Sequence, residues 1–288
     1  MNSTTITKYI AVTDADTAGS VTWTELQGGA HIETTRAAWA AQGLPADWLP
    51  ADPTPHAALA AAVKELAGPL ARPLGGRREG WLVFREVQTT DAQGRTSLDH
   101  EHAARAWIDG GELHVEGNAS VCEQIRGNYG TWRQHWTSAD LSSLVVGVLG
   151  RLHAVTLRSR GGNYFVPAVH MPVWRKVAAA LAKHVTVQLV PALPCEDAVQ
   201  AVLSGLTAEV ASTVQDTFLA LNGEKPLGKR ALATKARNVA SLADKANAYD
   251  ALLGEHLVAL RDKLAELDAA VAAAALLADT DTDSADGS

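Results

Sequence analysis

The sequence predicts an α+β protein, a mostly antiparallel sheet with packed helices followed by a long C-terminal antiparallel helical hairpin. Three observations lead there. From Ile6 to Val190, runs of two-residue alternation recur around short turns rich in Gly and Asp, as antiparallel hairpins require. Between them lie segments whose apolar residues fall at helical spacing behind capping residues. After Glu196 the alternation stops, and only spacings of three and four remain.

In order, Ile6 to Val12 and Ser20 to Leu26 alternate around the turn chemistry of residues 14–19, which predicts an opening hairpin. Thr34 to Gln42 reads as a short helix carrying Trp39. Four prolines between Gly43 and Pro55 exclude regular structure there, and Trp48 and Leu49 are expected to pin this loop by burying apolar surface. Thr54 as N-cap and Pro55 at the first helical position open a helix to Ala67, with Leu59, Val63 and Leu66 on one face. The stretch PLARPLGGRREG breaks regular structure. A three-stranded meander follows, Trp81 to Thr89, Thr96 to Ile108 and Glu112 to Glu116, joined at residues 91–94 and at Asp109-Gly110-Gly111. Its middle strand contains helix formers between Leu98 and Ala106, but the symmetry of its turns favours a strand.

Ala119 to Tyr129 is expected as a helix capped by Ser120. Ser138 caps another, whose broad apolar face comprises Leu141, Leu144, Val145, Val148, Leu149 and Leu152. Then comes the best-coded stretch of the chain. His153 to Arg158 and Asn163 to Val169 alternate about Gly161-Gly162, a pair able to adopt the positive φ of a tight hairpin. Pro172 opens a helix with Val173, Val177, Ala180 and Leu181 inward, and Val185 to Val190 returns as a strand.

From Glu196, Val199, Leu203, Leu206, Val210, Val214 and Leu221 line one face of a helix that Asn222-Gly223 terminates. After the turn EKPLGKR, Lys229 to Leu277 carries a heptad-like stripe, expected as one helix roughly 70 Å long against roughly 40 Å for the first. His256 and Lys263 are expected to interrupt its seam. The predicted organisation is an α+β domain over 1–194, with a subdivision near 70–80, a helical hairpin or coiled coil over 195–278, and a disordered acidic tail over 279–288.

Composition narrows the functions available. Net charge is −7, which disfavours nonspecific nucleic-acid binding by the whole surface. The charge is uneven: eight basic residues and one acid, Asp140, lie between Arg126 and His184, so this segment is +7 and the rest −14. Without a long apolar run or a basic-then-apolar leader, the chain reads as cytoplasmic, with no membrane partner. Cys122 and Cys195, in a chain of that kind, read as free thiols.

Candidate sites are sparse. Helix, turn, helix and basic hairpin follow one another from Ala119 to Val169, the order of a winged-helix nucleic-acid binder. Contacts would fall to Arg158, Arg160 and Tyr164 at the hairpin and to Trp132, Arg133 and Trp136 before it, guanidinium and aromatic groups that hold phosphates and stack bases. Against this, Ser138 to Arg151 offers almost no long polar side chain to a groove and looks buried. His100 and His102 on one strand face, with His114 on the next strand, form a weak three-nitrogen metal alternative, which alternating solvent-facing residues explain as well. Gly75-Gly76-Arg77-Arg78 and Arg160-Gly161-Gly162 could hold an oxyanion but are turns first. No catalytic residue, cofactor or metal site is assigned, and an enzyme remains the weakest reading. A helical hairpin beside an α+β module points instead to an assembly or adaptor protein, with a protein partner or a second copy bound through 196–277.

At Gly161-Gly162-Asn163-Tyr164-Phe165-Val166-Pro167 the chain resembles an uncharacterised family of proteins from bacteria and their tailed phages. There a GG-x-YFVP hairpin follows an apolar helix and precedes a helical C-terminal third. The likeness covers Trp81 to Leu277, including the YDALLG of Tyr249 to Gly254, and fits the first eighty residues less clearly. It implies this order of elements and a phage or actinobacterial setting, with host cytoplasm as the location if phage-encoded, and no activity or site residues.

Overall fold

The computed structural model describes residues 16–75, 80–90, 96–158, 162–223 and 227–283. In chain order these carry β1 (Gly19–Leu26), β2 (Ala30–His31), α1 (Ile32–Ala41), α2 (Pro55–Ala67) and β3 (Ala71–Pro73). Next come β4 (Trp81–Thr90), β5 (Thr96–Asp109), β6 (Glu112–Gly117), α3 (Ala119–Arg133), β7 (His135–Trp136) and α4 (Ser138–Arg151). The remainder is β8 (Val155–Thr156), β9 (Tyr164–Pro167), α5 (Met171–Leu181), β10 (Val185–Ala192), α6 (Glu196–Leu221), α7 (Lys229–Ala248), α8 (Asp250–Leu253) and α9 (Val258–Asp283). The fold is α+β with antiparallel sheets, as the alternation predicts. No helix among the described residues is long and apolar enough to cross a membrane. The chain divides into two compact units, 26–145 and a second made of 1–25 with 146–288. The units part at 25/26 and 145/146, and Val155 and Phe165 share one core with the C-terminal helices.

In the unit that includes both ends of the chain, the sheet order is β10-β1-β9-β8. Antiparallel pairing sets Ser20 opposite Val166 and Thr22 opposite Tyr164, and β8 pairs with β9 at Val155 and Phe165. The predicted hairpin of residues 153–169 is therefore present, with its tip, 159–161, outside the described residues. The partner expected for Ser20 to Leu26, Ile6 to Val12, also lies outside them. Buried Trp174 of α5 fixes this sheet by donating Nε1–H to Thr22 Oγ1 at 3.2 Å, and that hydroxyl donates to Gln188 O on β10 at 2.8 Å. Val202, Leu206 and Val210 of α6 pack with Val239 and Leu242 of α7 and Leu260, Leu264 and Leu267 of α9. Gly205 brings α6 hard against β8, since a Cβ there would stand 2.6 Å from Thr156 O and from Val155 Cγ1.

The single long helix expected over Lys229 to Leu277 is corrected. It breaks after α7, turns through α8 and a 3₁₀ segment, and restarts as α9 at Val258. Gly254, at φ +48, makes the break, a conformation L-residues rarely adopt. α7 and α9 thus lie antiparallel, with Leu232 near Val271 and Ala243 near Leu264. His256 and Lys263 are exposed and do not interrupt the seam. α9 includes Asp279 to Asp283 of the expected tail, and 284–288 lie outside the described residues.

In the other unit the sheet order is β3-β4-β5-β6, and α2 and α3 cover it. Leu59, Val63, Trp81, Val83, Ala104, Ala106, Val115 and Ile125 form its core. The middle meander strand is a strand. Unforeseen β3 lies inside the proline-rich breaker and pairs Ala71 with Val83 and Pro73 with Trp81, a sheet-edge place where a missing N–H is tolerated. Beyond a register shift at Val83/Phe84, β4 and β5 continue as an exposed two-stranded ribbon. Two caps differ from expectation by one or two residues. Asn118, not Ser120, caps α3 by accepting from Ser120 N and Val121 N. Thr137, not Ser138, closes α4, exchanging bonds with Asp140, whose carboxylate accepts from Thr137 N at 2.8 Å.

Asn118→Ala is expected to lower stability by about 1 kcal/mol and Ser120→Ala to leave it nearly unchanged, read from urea unfolding midpoints. Gly205→Ala is expected to cost roughly 1–3 kcal/mol by overpacking the α6–β8 contact.

Candidate functional site

The nucleic-acid candidates fall in both units. Arg158, in the unit of the chain ends, is exposed just beyond Leu157, whose amide donates to Asn163 O at 3.0 Å. Tyr164 is half-buried opposite Thr156, and Arg160 lies outside the described residues. Trp132, Arg133 and Trp136 belong to the other unit, where they fasten α3 and β7 to the 51–65 stretch. Trp132 Nε1 donates to Glu65 Oε2 at 2.7 Å, Arg133 donates to Pro53 O, and Trp136 Nε1 donates to Ala51 O at 3.1 Å. Trp136 is fully buried beneath the Arg36 guanidinium, so its ring faces no solvent. The link from α3 to α4 is also not a plain turn, because β7 pairs with β2. The apolar face of α4 is buried, as its composition implies.

The histidines are not brought together. His100 pairs across the ribbon with Glu86 and His102 with Phe84, while His114 on β6 stacks on Trp107 at 5.3 Å. β6 meets β5 only from Ala104 onward, so His114 does not reach the other two. Among the described residues no group of His, Cys, Asp and Glu is arranged to hold a metal. Cys122 is a buried and Cys195 an exposed free thiol. Of the two glycine-arginine turns, 76–79 and 159–161 lie outside the described residues.

A polar constellation not anticipated from the sequence sits where the C-terminal helices meet the sheet of their own unit. α4 ends in a Schellman closure, His153 N to Gly150 O and Ala154 N to Leu149 O, which places His153 at the left-handed position usually held by glycine, with φ +53. Its carbonyl accepts from Tyr249 Oη at 2.9 Å, and Phe165 O lies 3.2 Å from the same hydroxyl. Burial pushes the Tyr249 phenol far above its usual range, so it stays a donor. One turn earlier, Lys245 is 7% exposed and makes contacts of 2.8 and 2.6 Å to the two carboxylate oxygens of Glu209 on α6. The His153 ring lies 5.4 Å from that of His170. Both imidazoles are held below the usual range, chiefly by burial, His153 further by Lys245 against an opposing Asp244, and His170 further by His153. The sequence hid this cluster because its members lie up to 96 positions apart and match no spacing motif.

A family model matches residues 20–282, which takes in both units. The chain belongs to DUF6744, a family of unknown function. The DUF6744 match contains the GG-x-YFVP stretch and reaches back to residue 20, beyond the Trp81 start of the likeness read from the sequence. No curated protein and no solved structure matches the chain.

The two imidazoles set a pH dependence. A base whose folded pKa is depressed binds protons more readily when unfolded, so its stabilising contribution is full above the unfolded value, about 6.5, and declines below it. Urea midpoints are expected to fall between about pH 7.5 and 5.5, and His170→Gln to flatten that fall. Equal slopes in wild type and variant would exclude the pair as its source.

Proposed function

We infer that this protein is a non-enzymatic assembly protein that associates with a second copy of itself through α7 and α9. One observation carries the reading. Beside the leucine seam that faces the core, α7 bears Lys229, Ala233, Ala236, Ala240, Ala243 and Asn247, and α9 bears Arg261, Ala265, Asp268, Ala272 and Ala275. Spacings alternate between four and three on both helices, the period of a coiled-coil seam. Together they border an open groove, clefts of about 260 and 370 Å³ that share Asp268. Its alanines are exposed or half-buried, and their small side chains allow another helix to approach closely.

Charge supports a second copy as the occupant. Outside Lys245, which Glu209 holds, α7 has Lys229, Arg230, Lys235 and Arg237 against Asp244 alone, whereas Val258 to Asp283 has six acids against Arg261 and Lys263. A two-fold arrangement sets the basic α7 of one copy beside the acidic α9 of the other, which favours that pairing over α7 on α7. The composition, rich in Ala, Leu and Val, accords with a GC-rich bacterial or phage genome.

Light scattering on the full chain at tens of micromolar is expected to give twice the chain mass. Ala236→Glu with Ala240→Glu, which adds charge to the seam outside the leucine core, is expected to give the monomer with its helical circular dichroism intact. A monomeric wild type would sink the reading.

A further inference from the structure

Apart from that groove, the cleft between β8 and α6 has the composition of a ligand site. It is an open surface groove of about 410 Å³, with Thr156, Leu157 and Arg158 on the strand side and Ser204, Ala208, Glu209, Ser212 and Thr213 on the helix side. Gly205 creates it by allowing α6 to touch β8 at one point, so that the surfaces diverge on either side of a fixed contact. β8 is the edge of its sheet. Because Leu157 N turns toward β9 to reach Asn163 O, strand alternation turns the amide of Thr156 the other way, to the sheet edge. Neither the four hydroxyls nor the Arg158 guanidinium has a hydrogen-bond partner among the described residues.

These groups divide by chemistry. The Arg158 guanidinium has no acceptor among the described residues, and with the edge amide of Thr156 it suits an anion. Glu209 is already neutralised by Lys245, and with Ser212 and Thr213 it offers acceptors and hydroxyls, which suits a polyol. One guanidinium is too little for a polyphosphate, and a wall that sets Leu157 and Ala208 among the hydroxyls suits a ligand with both hydroxyls and carbon surface. We propose that the β8–α6 cleft binds a small phosphorylated polyol of the sugar-phosphate class, its phosphate on Arg158 and its hydroxyls on Glu209 and the serine and threonine side chains.

Calorimetric titration of the full chain with ribose 5-phosphate, inorganic phosphate and ribose tests this. Ribose 5-phosphate is expected to bind at submillimolar concentration, phosphate roughly tenfold more weakly, and ribose without measurable heat. Arg158→Ala, and Ser204→Leu, which fills the cleft from an exposed helix position, should each weaken ribose 5-phosphate by at least about tenfold while keeping the wild-type melting temperature. No binding at about 10 mM, or binding indifferent to both substitutions, overturns the proposal. So does an Arg158-dependent single-stranded oligonucleotide that binds more than about tenfold tighter than the sugar phosphate, since that assigns the cleft to a nucleic-acid strand. None of these outcomes depends on the oligomeric state.

Discussion

One buried phenol ties the helices of the chain-end unit to its sheet. Tyr249 ends α7, and its hydroxyl reaches the carbonyls of His153 and Phe165, so the end of α4, the hairpin strand β9 and the helical layer meet at one oxygen. Removing that oxygen would leave buried carbonyls short of a donor, a larger loss than the bond itself contributes. The neighbouring Lys245–Glu209 pair adds a second polar tie. Its Lys245 end is buried and its Glu209 end faces the β8–α6 cleft, so desolvation of the ammonium offsets much of the attraction. Lys245 is the constrained partner, since moving it along α7 would leave a buried ammonium without its carboxylate. The leucine seam supplies the burial, and the two polar ties choose the register at which it occurs.

The same helices divide their surfaces by residue size. Leucines on α7 and α9 build the core, whereas alanines one step round each helix leave room for another backbone. On α6 the residues turned to β8 are Ser204, Gly205, Ala208, Glu209, Ser212 and Thr213, and there the gap mixes polar and apolar surface. The two surfaces proposed for binding thus lie on one three-helix layer and differ in lining, alanine methyl groups in the first and hydroxyls set among Leu157 and Ala208 in the second.

Much of the fold was legible because local codes agreed. Thr54-Pro55 and Asn222-Gly223 mark helix ends to the residue, and Asp109-Gly110-Gly111 marks a hairpin. The long-helix reading failed because Leu253, Leu257, Leu260 and Leu264 keep helical spacing through a break in the backbone, with Gly254 alone marking it. The caps slipped where two polar residues adjoin, since composition does not say which one adopts the extended cap conformation. The sites were less legible. Arg158 was visible as an exposed charge at a hairpin, but Trp136 gave no sign that its ring is covered, and the second stripe on α7 is made of alanine, which periodicity arguments pass over. The cluster around Tyr249 needed tertiary structure, because no local pattern pairs residue 249 with 153.

The strand β1 has a consequence for how the molecule comes into being. It lies between β10 and β9, yet Ser20 and its partner Val166 are separated by the entire 26–145 unit. On a ribosome adding roughly 5–20 residues per second, β1 emerges on the order of ten seconds before the strand it pairs with. The inserted unit is contiguous and can close its core in that interval. The surrounding unit cannot, because its sheet is complete only once β1 pairs with sequence-distant β9 and β10, the slowest kind of contact to form. An inserted unit that is already folded holds its two chain ends at a fixed separation, which shortens the effective loop between Ser20 and Val166. The insertion then acts as an internal template that lets a sheet of distant strands close.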